Sequence, residues 1–524
     1  MKKIWVFSFV FALALGACGG GAVSPDPIVA DTEVEGTFAV RRFWAWDMDN
    51  KAYQTDARML AYNSRVEIWA ELGSGVSNAQ AMAIAREYRL AIYPRMMNTF
   101  GWRATENSPD IMQVADQNGD NNGRLTILLL DTGGAAGYFT GANFRRIEAV
   151  QILASNSNNT DMLYIDVAGN GYPIGEVGFY ETIAHEMQHL INFVSGILLY
   201  QWGLRGSSEM DTWLNETLSE GAQYIYSGTY NQDRINWYNQ APYSSSASIR
   251  DGTRIIEGNN FYVWGNHLST TNPYPILDDY STAYLFAQWL RIHAQPDKNN
   301  WPIYLNILLS EHAGYQAVLD EVRWHNMYGA EDTWATVLGD WLAANYIKSP
   351  SSLHGYRNQI NLIRHHLPGG GITTHSLFPG EGVFSHVTNT YSVPSPNSPI
   401  SFLGMGATSV MYPGPNLIPL NRALLTYNSD INTAVNASPT SGTVTGQNPS
   451  ITGPSFSQAE PSFGQGGLND LDAEVMLRRL GRTPPPVELG DVMVFDHGTA
   501  GQGRSAASSA AMDRSRFVRV YVDE

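Results

Sequence analysis

The sequence predicts an α+β protein with a β-rich C-terminal domain, and three observations support this fold class. Strand-like apolar runs and helical patterns follow one another through residues 38–166. Residues 178–196 then form a longer segment whose apolar side chains recur at helical spacing. Beyond residue 368 the composition shifts to Gly, Ser, Thr, Pro and Asn with short β-like runs, which favours a β-rich domain.

The first part of the chain is predicted to supply a sheet and a helix. Residues 64–69 alternate polar and apolar side chains, as a half-buried strand does. Residues 77–99 carry apolar side chains at helical spacing, with Ser77 or Asn78 as the N-cap. Two short apolar runs, residues 125–131 and 162–166, predict strands ahead of the longer helix.

The helix predicted over residues 178–196 contains His-Glu-Met-Gln-His at positions 185–189. Positions four apart share one helix face, so the two imidazoles can bind one ion, while Glu186 points to a neighbouring angle. Two such His, with the intervening Glu as base, form the zinc pattern of peptide hydrolysis. Gly196 is predicted to end the helix.

A second predicted helix is entered near Ser208 or Asp211 and carries two carboxylates on one face, Glu216 and Glu220. A catalytic zinc needs a third protein ligand beside an open position for water, and Glu216 fits that role. Glu220 fits a supporting role, accepting the outer N–H of a ligating His and fixing its tautomer. The alternative is a pair of salt-bridged or solvated helices. The predicted zinc ligands are His185, His189 and Glu216.

The helix pair resembles that of the gluzincin metallopeptidases, in which His-Glu-x-x-His is followed by Asn-Glu-x-x-Ser-Asp on a second helix. Here residues 215–220 are Asn-Glu-Thr-Leu-Ser-Glu, with Glu220 in place of the final Asp. The preceding Trp-Leu and the upstream strand pattern look more specifically like the hyicolysin-type bacterial neutral metallopeptidases. The resemblance covers residues 110–300 and implies a zincin-like fold with a mixed sheet, an active-site helix and a helical lower lobe.

The resemblance also implies the chemistry, that of a zinc endopeptidase with Glu186 as the catalytic base. In gluzincins a Tyr or His from a later element often donates a hydrogen bond to the oxyanion. The candidates here are His267, Tyr280 and Tyr284, and we favour Tyr280. A metzincin is excluded, because Asn192 and Ser195 stand where that group requires Gly and His.

Zincins also use an edge strand of the sheet, which pairs with extended substrate through backbone hydrogen bonds. By this resemblance we expect that edge at residues 147–154 or at residues 162–166.

The first residues predict a lipoprotein signal peptide over residues 1–17. Lys2 and Lys3 precede an apolar run too short to span a bilayer, which ends with Leu-Gly-Ala before Cys18. This resembles the bacterial lipobox and implies lipidation of Cys18, which would hold the protein on a membrane. An ordinary secretory signal with an incidental Cys is the alternative. Gly19 gives no inner-membrane retention signal, so we expect the outer membrane or cell surface of the bacterial envelope.

Composition excludes several classes of function. The formal net charge of −17 opposes binding to nucleic acid and to anionic lipid surfaces. Cys18 is the only cysteine, so we expect neither disulfides nor thiolate metal sites. Apolar residues make up 43% of the chain, which is ample for a core without such crosslinks.

Pro-Gly-Gly-Gly at residues 368–371 marks the main predicted boundary. The accessory domain beyond it either binds a surface or packs on the catalytic unit. The predicted units are a tether over 18–37, a zincin-like domain over 38–365 (an α/β part to about 200, then a helical lobe) and an accessory domain over 370–524 with a loose segment near 434–470.

A polar loop at residues 116–123 offers a second metal site. Alternating Asp and Asn oxygens can wrap a calcium ion, a hard cation that prefers oxygen ligands. A polar turn is the alternative, since Asn-Gly and Asp-rich runs are common in turns. The candidate calcium ligands are Asp116, Asn118, Asp120 and Asn122.

These features predict an exported, lipid-anchored zinc endopeptidase that acts on proteins or peptides. Two alternatives stay open: a zincin-like surface protein that binds without catalysis, and a metal hydrolase for another kind of bond. The intact Glu186 argues against the first, because a structural zinc site needs no base.

Overall fold

A computed structural model of the chain describes residues 32–36, 39–47, 51–144, 156–240, 264, 276–294, 302–362, 373–387, 398–405, 410–411, 422–431, 440–444 and 517–522. Glu33–Glu524 form one compact unit. The predicted signal peptide, Cys18 and His267 lie outside the described residues. No helix in the described ranges is both long and apolar enough to cross a membrane.

Eight strands precede the longest described helix. They are β1 (Val34–Glu35), β2 (Val40–Trp46), β3 (Ala52–Tyr62), β4 (Val66–Glu71), β5 (Trp102–Arg103), β6 (Leu125–Leu130), β7 (Gly137–Tyr138) and β8 (Met162–Asp166). All but β5 form one sheet, in the order β1-β3-β4-β6-β8-β7, with β2 also paired to β3. Strands β4, β6 and β8 are parallel and the other pairs are antiparallel, so the expected mixed sheet is confirmed. β1 lies in the segment predicted as tether, so the sheet begins within that segment.

Strand β6 is buried along its whole length because both faces of the sheet are covered. Ile127 and Leu129 belong to the main core, whereas Leu128 and Leu130 pack with Phe43 in a smaller core on the opposite face. A strand covered on both faces carries apolar residues on both, which explains the run of Leu and Ile that only Thr126 interrupts.

Ten helices complete the described part of the fold. They are α1 (Asn78–Glu87), α2 (Tyr93–Phe100), α3 (Ile111–Asn118), α4 (Val177–Gln201), α5 (Thr212–Ser227), α6 (Gln232–Gln240), α7 (Ile276–His293), α8 (Ile303–Leu308), α9 (Tyr315–Trp324) and α10 (Trp334–Ile347). A π-helical turn, Tyr88–Ile92, joins α1 to α2. Ser77 is the N-cap of α1 and forms a capping box with Gln80, as one of the two predicted caps. Helices α5 to α10 confirm that a mainly helical part follows residue 200, and in the described residues it extends to Ile347.

The prediction that α4 ends at Gly196 is wrong, because the helix continues to Gln201. Gly196 lies inside the helix, where a Cβ atom would stand 2.1 Å from the carbonyl oxygen of Ser208. The glycine therefore permits close approach of the chain that leads into α5, rather than the left-handed turn of a helix end.

The edge strand beside the long helix differs from the expectation. β8 pairs with β6 on one side and with β7 on the other, so residues 162–166 are not an edge. Residues 147–154 lie outside the described residues. Among the described strands the edge is β7, whose residue Gly137 pairs with Ile165.

The chain beyond residue 370 is β-rich in its described part, as expected. Its strands are β9 (Thr373–Leu377), β10 (Gly382–Val387), β11 (Ile400–Met405), β12 (Val410–Met411), β13 (Arg422–Asn428), β14 (Thr440–Val444) and β15 (Val518–Arg519). The order β10-β13-β11-β12 forms a sheet, and β14 pairs with β9. β14 lies in the segment predicted to be loose. The division into domains stays a prediction.

This β-rich part contacts the helical lobe directly. The Tyr427 hydroxyl donates a hydrogen bond of 2.9 Å to the Ala335 carbonyl of α10, and the Phe384 ring stacks on Tyr346 with centroids 5.4 Å apart. β15 pairs with β5, the short strand that connects α2 to α3. The C-terminal residues therefore contribute to the packing around the main sheet.

Candidate metal centre

Helices α4 and α5 lie side by side because each buries an apolar face. The apolar face predicted for α4 is fully buried, and its members are Ile183, Ala184, Met187, Leu190, Ile191 and Val194. Asp211 is the N-cap residue of α5, as one of the two predicted entry points. The packing turns one polar stripe of each helix towards the other, and the predicted ligands lie on these stripes.

Three side chains from the two helices converge on one point. Nε2 of His185 lies 3.0 Å from Nε2 of His189, and these two nitrogens lie 3.3 Å and 3.5 Å from Oε2 of Glu216. All three side chains are buried. The structure therefore brings together the three residues that the sequence predicts as ligands, and they form a group that can hold a metal ion.

The spacing of these atoms fits a tetrahedral zinc site. Zinc binds nitrogen and oxygen ligands at about 2.0–2.1 Å, so two corners of its tetrahedron lie about 3.3 Å apart. The three observed separations lie close to that edge length. Oε2 of Glu216 is buried without a hydrogen-bond partner among the described residues, which leaves it free to bind a cation.

The charges in this group are strongly coupled. Burial opposes ionisation of Glu216, but the electrostatic effect of the adjacent His189 and His185 imidazoles outweighs burial and lowers the pKa of its carboxyl. Burial likewise opposes protonation of His189, and Glu216 outweighs it and raises the pKa of that imidazole. A buried anionic carboxylate between two imidazoles is the donor set that zinc prefers. Zinc would displace the proton of His189, because a ligating His is unprotonated.

The outer ring nitrogens of both histidines face polar groups of α5. Nδ1 of His189 lies 3.2 Å from Oδ1 of Asn215 and 3.1 Å from Oγ of Ser219. Nδ1 of His185 lies 3.5 Å from Oε1 of Glu220 and 3.4 Å from Nε2 of Gln223. Partners of this kind fix the orientation of a ligating imidazole.

Glu220 is held mainly by an arginine. Nε and Nη2 of Arg234 lie 2.9 Å and 3.0 Å from its two carboxylate oxygens. Both distances are shorter than the 3.5 Å between Glu220 and Nδ1 of His185. The same guanidinium lies over the Tyr280 ring, 5.0 Å from its centroid. Glu220 therefore lies between Arg234 and His185. Although its side chain is one methylene longer than the Asp of the gluzincin motif, its carboxylate still faces the His185 ring.

A pocket opens directly beside the cluster. His185 and Glu186 line it together with Tyr280, Arg234 and Gly137 of the edge strand β7. Burial raises the pKa of Glu186 to about 8, and the Glu216 carboxylate adds to this effect while His189 opposes it. A carboxyl group with a pKa near neutrality is suited to exchanging protons with a bound reactant.

The candidates for the oxyanion donor are separated by their positions. The Tyr280 ring lies 6.2 Å from the His185 ring and lines the pocket. The oxygen of Tyr284 instead accepts the backbone N–H of Asn231, at 2.8 Å, and the side chain is fully buried. Of the two described candidates only Tyr280 borders the pocket.

Sequence analysis did not assign roles to several residues of the site. Asn215, Ser219 and Gln223 recur every four positions on the stripe of α5 that faces α4, so helical spacing alone could have singled them out. Arg234 lies on α6, and no local pattern marks it as the partner of Glu220.

The predicted calcium loop is only partly brought together. Asp116 and Asp120 lie close to each other, but Asn118 donates to the Val114 carbonyl and Asn122 bonds to Asp120 and to the Arg124 amide. The four-residue ligand set predicted from the sequence is therefore not assembled as such. The third carboxylate beside Asp116 and Asp120 comes from Asp161, just before β8, which the sequence analysis did not name.

The mixed fold places a His-His-Glu group that can hold a metal ion on two adjacent helices, beside a pocket. The chain is similar to the neutral metalloprotease ShpI of Staphylococcus hyicus, at 25% identity over 329 residues, or 60% of this chain and 65% of ShpI. The chain thus matches somewhat less than two thirds of the length of ShpI. No family model matches the chain. The similarity supports a metallopeptidase and, in general terms, a metal-dependent protease.

Proposed function

We propose that the chain is a zinc endopeptidase of the hyicolysin-like type, exported and anchored to the bacterial envelope by a lipid on Cys18. The observation that carries the enzymatic part is the convergence of His185, His189 and Glu216 within 3.5 Å of one another beside a pocket that Glu186 lines. The similarity to the neutral metalloprotease ShpI supports the same activity.

The three clustered side chains hold the zinc ion in this proposal. Bound zinc supplies Lewis acidity, which polarises a carbonyl and lowers the pKa of water. Glu186 takes the proton of the attacking water and delivers it to the leaving nitrogen of the peptide. Burial raises the pKa of Glu186 to about 8; a bound cation would lower that pKa, so that the carboxylate would be available to take the proton in the first step.

The remaining pocket residues orient the reacting groups. Tyr280 donates its hydroxyl proton in a hydrogen bond to the substrate carbonyl oxygen as negative charge develops there. Glu220 and Gln223 hold the ring of His185, while Asn215 and Ser219 hold the ring of His189. Each histidine then presents Nε2 to the ion in a fixed direction, which lowers the reorganisation needed to bind it.

The test is proteolysis by the purified, zinc-loaded full chain with casein as substrate. We expect Glu186→Gln to keep the bound zinc and to lose activity by about 100-fold or more, because general acid–base catalysis contributes at least that much. Glu176→Gln, at the exposed N-terminus of the same helix, is the matched control and should stay active.

The outcome also separates the alternatives. Equal inactivity of the wild type and Glu186→Gln, both with one zinc per chain, would support a binding protein instead of an enzyme. Hydrolysis of ester substrates without any cleavage of casein would support a hydrolase for another kind of bond.

The anchoring is tested separately on cells that express the full chain. We expect radiolabelled palmitate on the wild-type protein and partition of that protein into detergent, and we expect both to be lost in Cys18→Ala. Unlabelled wild-type protein in the culture medium would favour an ordinary secretory signal, and would leave the proposed activity untouched.

A further inference from the structure

A second group of metal-binding side chains lies away from the pocket. Asp116 is near the end of α3, Asp120 is in the loop that follows, and Asp161 immediately precedes β8. One carboxylate oxygen from each of the three lies within 4.8 Å of the other two. Since Asp161 lies 41 positions after Asp120 in the sequence, the group exists only because of the fold.

The backbone of the loop is shaped to lie against Asp161. A Cβ atom on Gly119 would stand 2.5 Å from the backbone nitrogen of Asp161, so only glycine permits this approach. Asn121 has a φ of 59°, in the left-handed region, and its N–H donates to the Asp116 carbonyl at 2.9 Å. The N–H of Gly123 donates to Oδ1 of Asp116 at 2.8 Å. These bonds hold the loop closed around the carboxylates.

Asp161 brings a buried carboxylate to this group, and one of its two oxygens has no hydrogen-bond donor. It is 1% exposed, and its Oδ1 accepts no hydrogen bond from any described residue. Oδ1 of Asp120 is likewise inaccessible and lacks a donor. A buried carboxylate oxygen without a donor is costly, and native proteins satisfy such atoms with hydrogen bonds or with a bound cation.

The neighbouring cations do not balance this charge. Nη1 of Arg41 lies 3.8 Å from Oδ2 of Asp120, while its Nη2 donates to the Asn158 carbonyl and to Thr160. Arg124 is paired with Glu67 instead, at 3.2 Å. Burial and the two other carboxylates raise the pKa of Asp161. A positive charge placed among the three groups would relieve both the desolvation and the mutual repulsion.

We propose that Asp116, Asp120 and Asp161 bind one calcium ion, which fastens the loop after α3 to the start of β8. The donors are all carboxylate oxygens, which suits a hard cation and does not suit zinc or copper. Calcium binds oxygen at about 2.3–2.6 Å, so ligand oxygens up to about 5 Å apart can share it. Magnesium keeps several waters and is less suited to a group in which one ligand is fully buried.

The position of the site indicates a structural role. β8 continues through residues 167–176 into α4, the helix that carries His185 and His189. The loop after α3 leads into β6, the parallel neighbour of β8. An ion bound here joins the beginnings of both strands, so its removal should loosen the sheet beneath the metal centre without removing any group from the pocket.

The test uses the full chain, freed of metal, reloaded with one equivalent of zinc and titrated with calcium chloride. We expect one calcium ion per chain by calorimetry. We also expect a rise in melting temperature of roughly 3 °C at calcium one hundred-fold above its dissociation constant. Asp161→Asn and Asp116→Asn should abolish both effects. Asp131→Asn, an exposed aspartate at the other end of β6, is the matched control and should retain them.

A merely structural cluster of carboxylates gives different results. Absence of calcium binding by the wild type, or an equal thermal shift in Asp161→Asn, would overturn the proposal, and so would equal binding of magnesium chloride. Without calcium, Asp161→Asn should melt at or above the wild-type temperature, because it removes an uncompensated buried charge. Should Asp161→Asn fail to fold, Asp120→Asn provides the same comparison.

Discussion

Arg234 and Glu220 form a two-pronged ion pair beneath the candidate metal centre, with N–O distances of 2.9 Å and 3.0 Å. The side chain of Glu220 is fully buried and that of Arg234 is 12% exposed. Glu220 in turn lies 3.5 Å from the outer nitrogen of His185. The arginine is thus two contacts away from the point where a zinc ion would bind.

We expect Arg234→Met to raise the dissociation constant for zinc by about 10- to 100-fold, the range measured when a supporting partner of a metal ligand is lost. Without its guanidinium, the buried Glu220 carboxyl takes up a proton and no longer fixes His185. The dissociation constant of Arg234→Lys should lie between those of the wild type and Arg234→Met, because lysine keeps the positive charge but lacks the planar, two-pronged guanidinium. Competition with a chromophoric chelator measures the constant.

A matched control separates this effect from the loss of any arginine. Arg42 forms a similar two-pronged pair with Asp56, but its side chain is 64% exposed and lies on β2. Arg42→Met should leave zinc affinity within about twofold, since exposed pairs contribute little. An unchanged affinity in Arg234→Met would show that Glu220 needs no support.

The glycine inside α4 gives a prediction about stability. Gly196→Ala places a methyl group 2.1 Å from the Ser208 carbonyl, a backbone atom that cannot rotate away. Alanine favours a helix by about 1 kcal/mol over glycine, so a substitution without a clash would stabilise the protein. We expect net destabilisation by about 1 kcal/mol instead, since overpacking costs about 1–3 kcal/mol and exceeds the gain in helix propensity.

Thermal denaturation of the metal-free protein measures this change. Gly206→Ala is the control, because a Cβ there meets no atom within 4 Å. We expect it to leave the melting temperature near that of the wild type. A Gly196→Ala variant as stable as the wild type would mean that the loop into α5 moves aside at little cost.

Buried His293 makes stability depend on pH. Burial lowers the pKa of His293 to about 4, and the positive groups Arg357 and His354 add to this, while its bond to the Gly355 carbonyl opposes it. Nε2 donates that bond at 2.7 Å. The pKa of an unfolded histidine is about 6.5, so the unfolded chain binds the proton first as pH falls. Stability is therefore complete above about pH 6.5 and declines towards pH 4.

The measurement compares unfolding free energies of the wild type and His293→Gln across this range, with EDTA present so that metal release does not contribute. We expect the wild type to lose on the order of 2–3 kcal/mol more than the variant between pH 6.5 and pH 4. Parallel pH curves for the two proteins would show that His293 takes up a proton in the folded state as easily as in the unfolded chain.

Much of the candidate site follows from local sequence. His185 and His189 share a face because a helix repeats about every four residues, and the same rule aligns Glu216 with Glu220. Ser77 was one of two N-caps predicted for α1, and its capping bond involves only neighbouring residues; Asp211, one of two entry points predicted for α5, is the N-cap residue there without such a bond. The helix end predicted at Gly196 is wrong because a glycine that ends a helix and a glycine that permits close packing look the same in the sequence.

Other features depend on segments that are distant in the chain. No periodicity relates Arg234 to Glu220, because the two residues lie on separate helices, α6 and α5. The pairing of β7 with β8, which excludes residues 162–166 as an edge, was not predicted for a similar reason, since the pairing of Gly137 with Ile165 is a tertiary contact.

Residue type and helical repeat are enough to predict which side chains can bind a metal and on which helix faces they lie. Which of these faces meet depends on how the whole chain packs. That packing set the 3.0–3.5 Å separations of the His-His-Glu group, and it brought Asp161 to the loop of Asp116 and Asp120. Such contacts arise when the core is buried as a whole, and a linear pattern carries no measure of the distance between two elements.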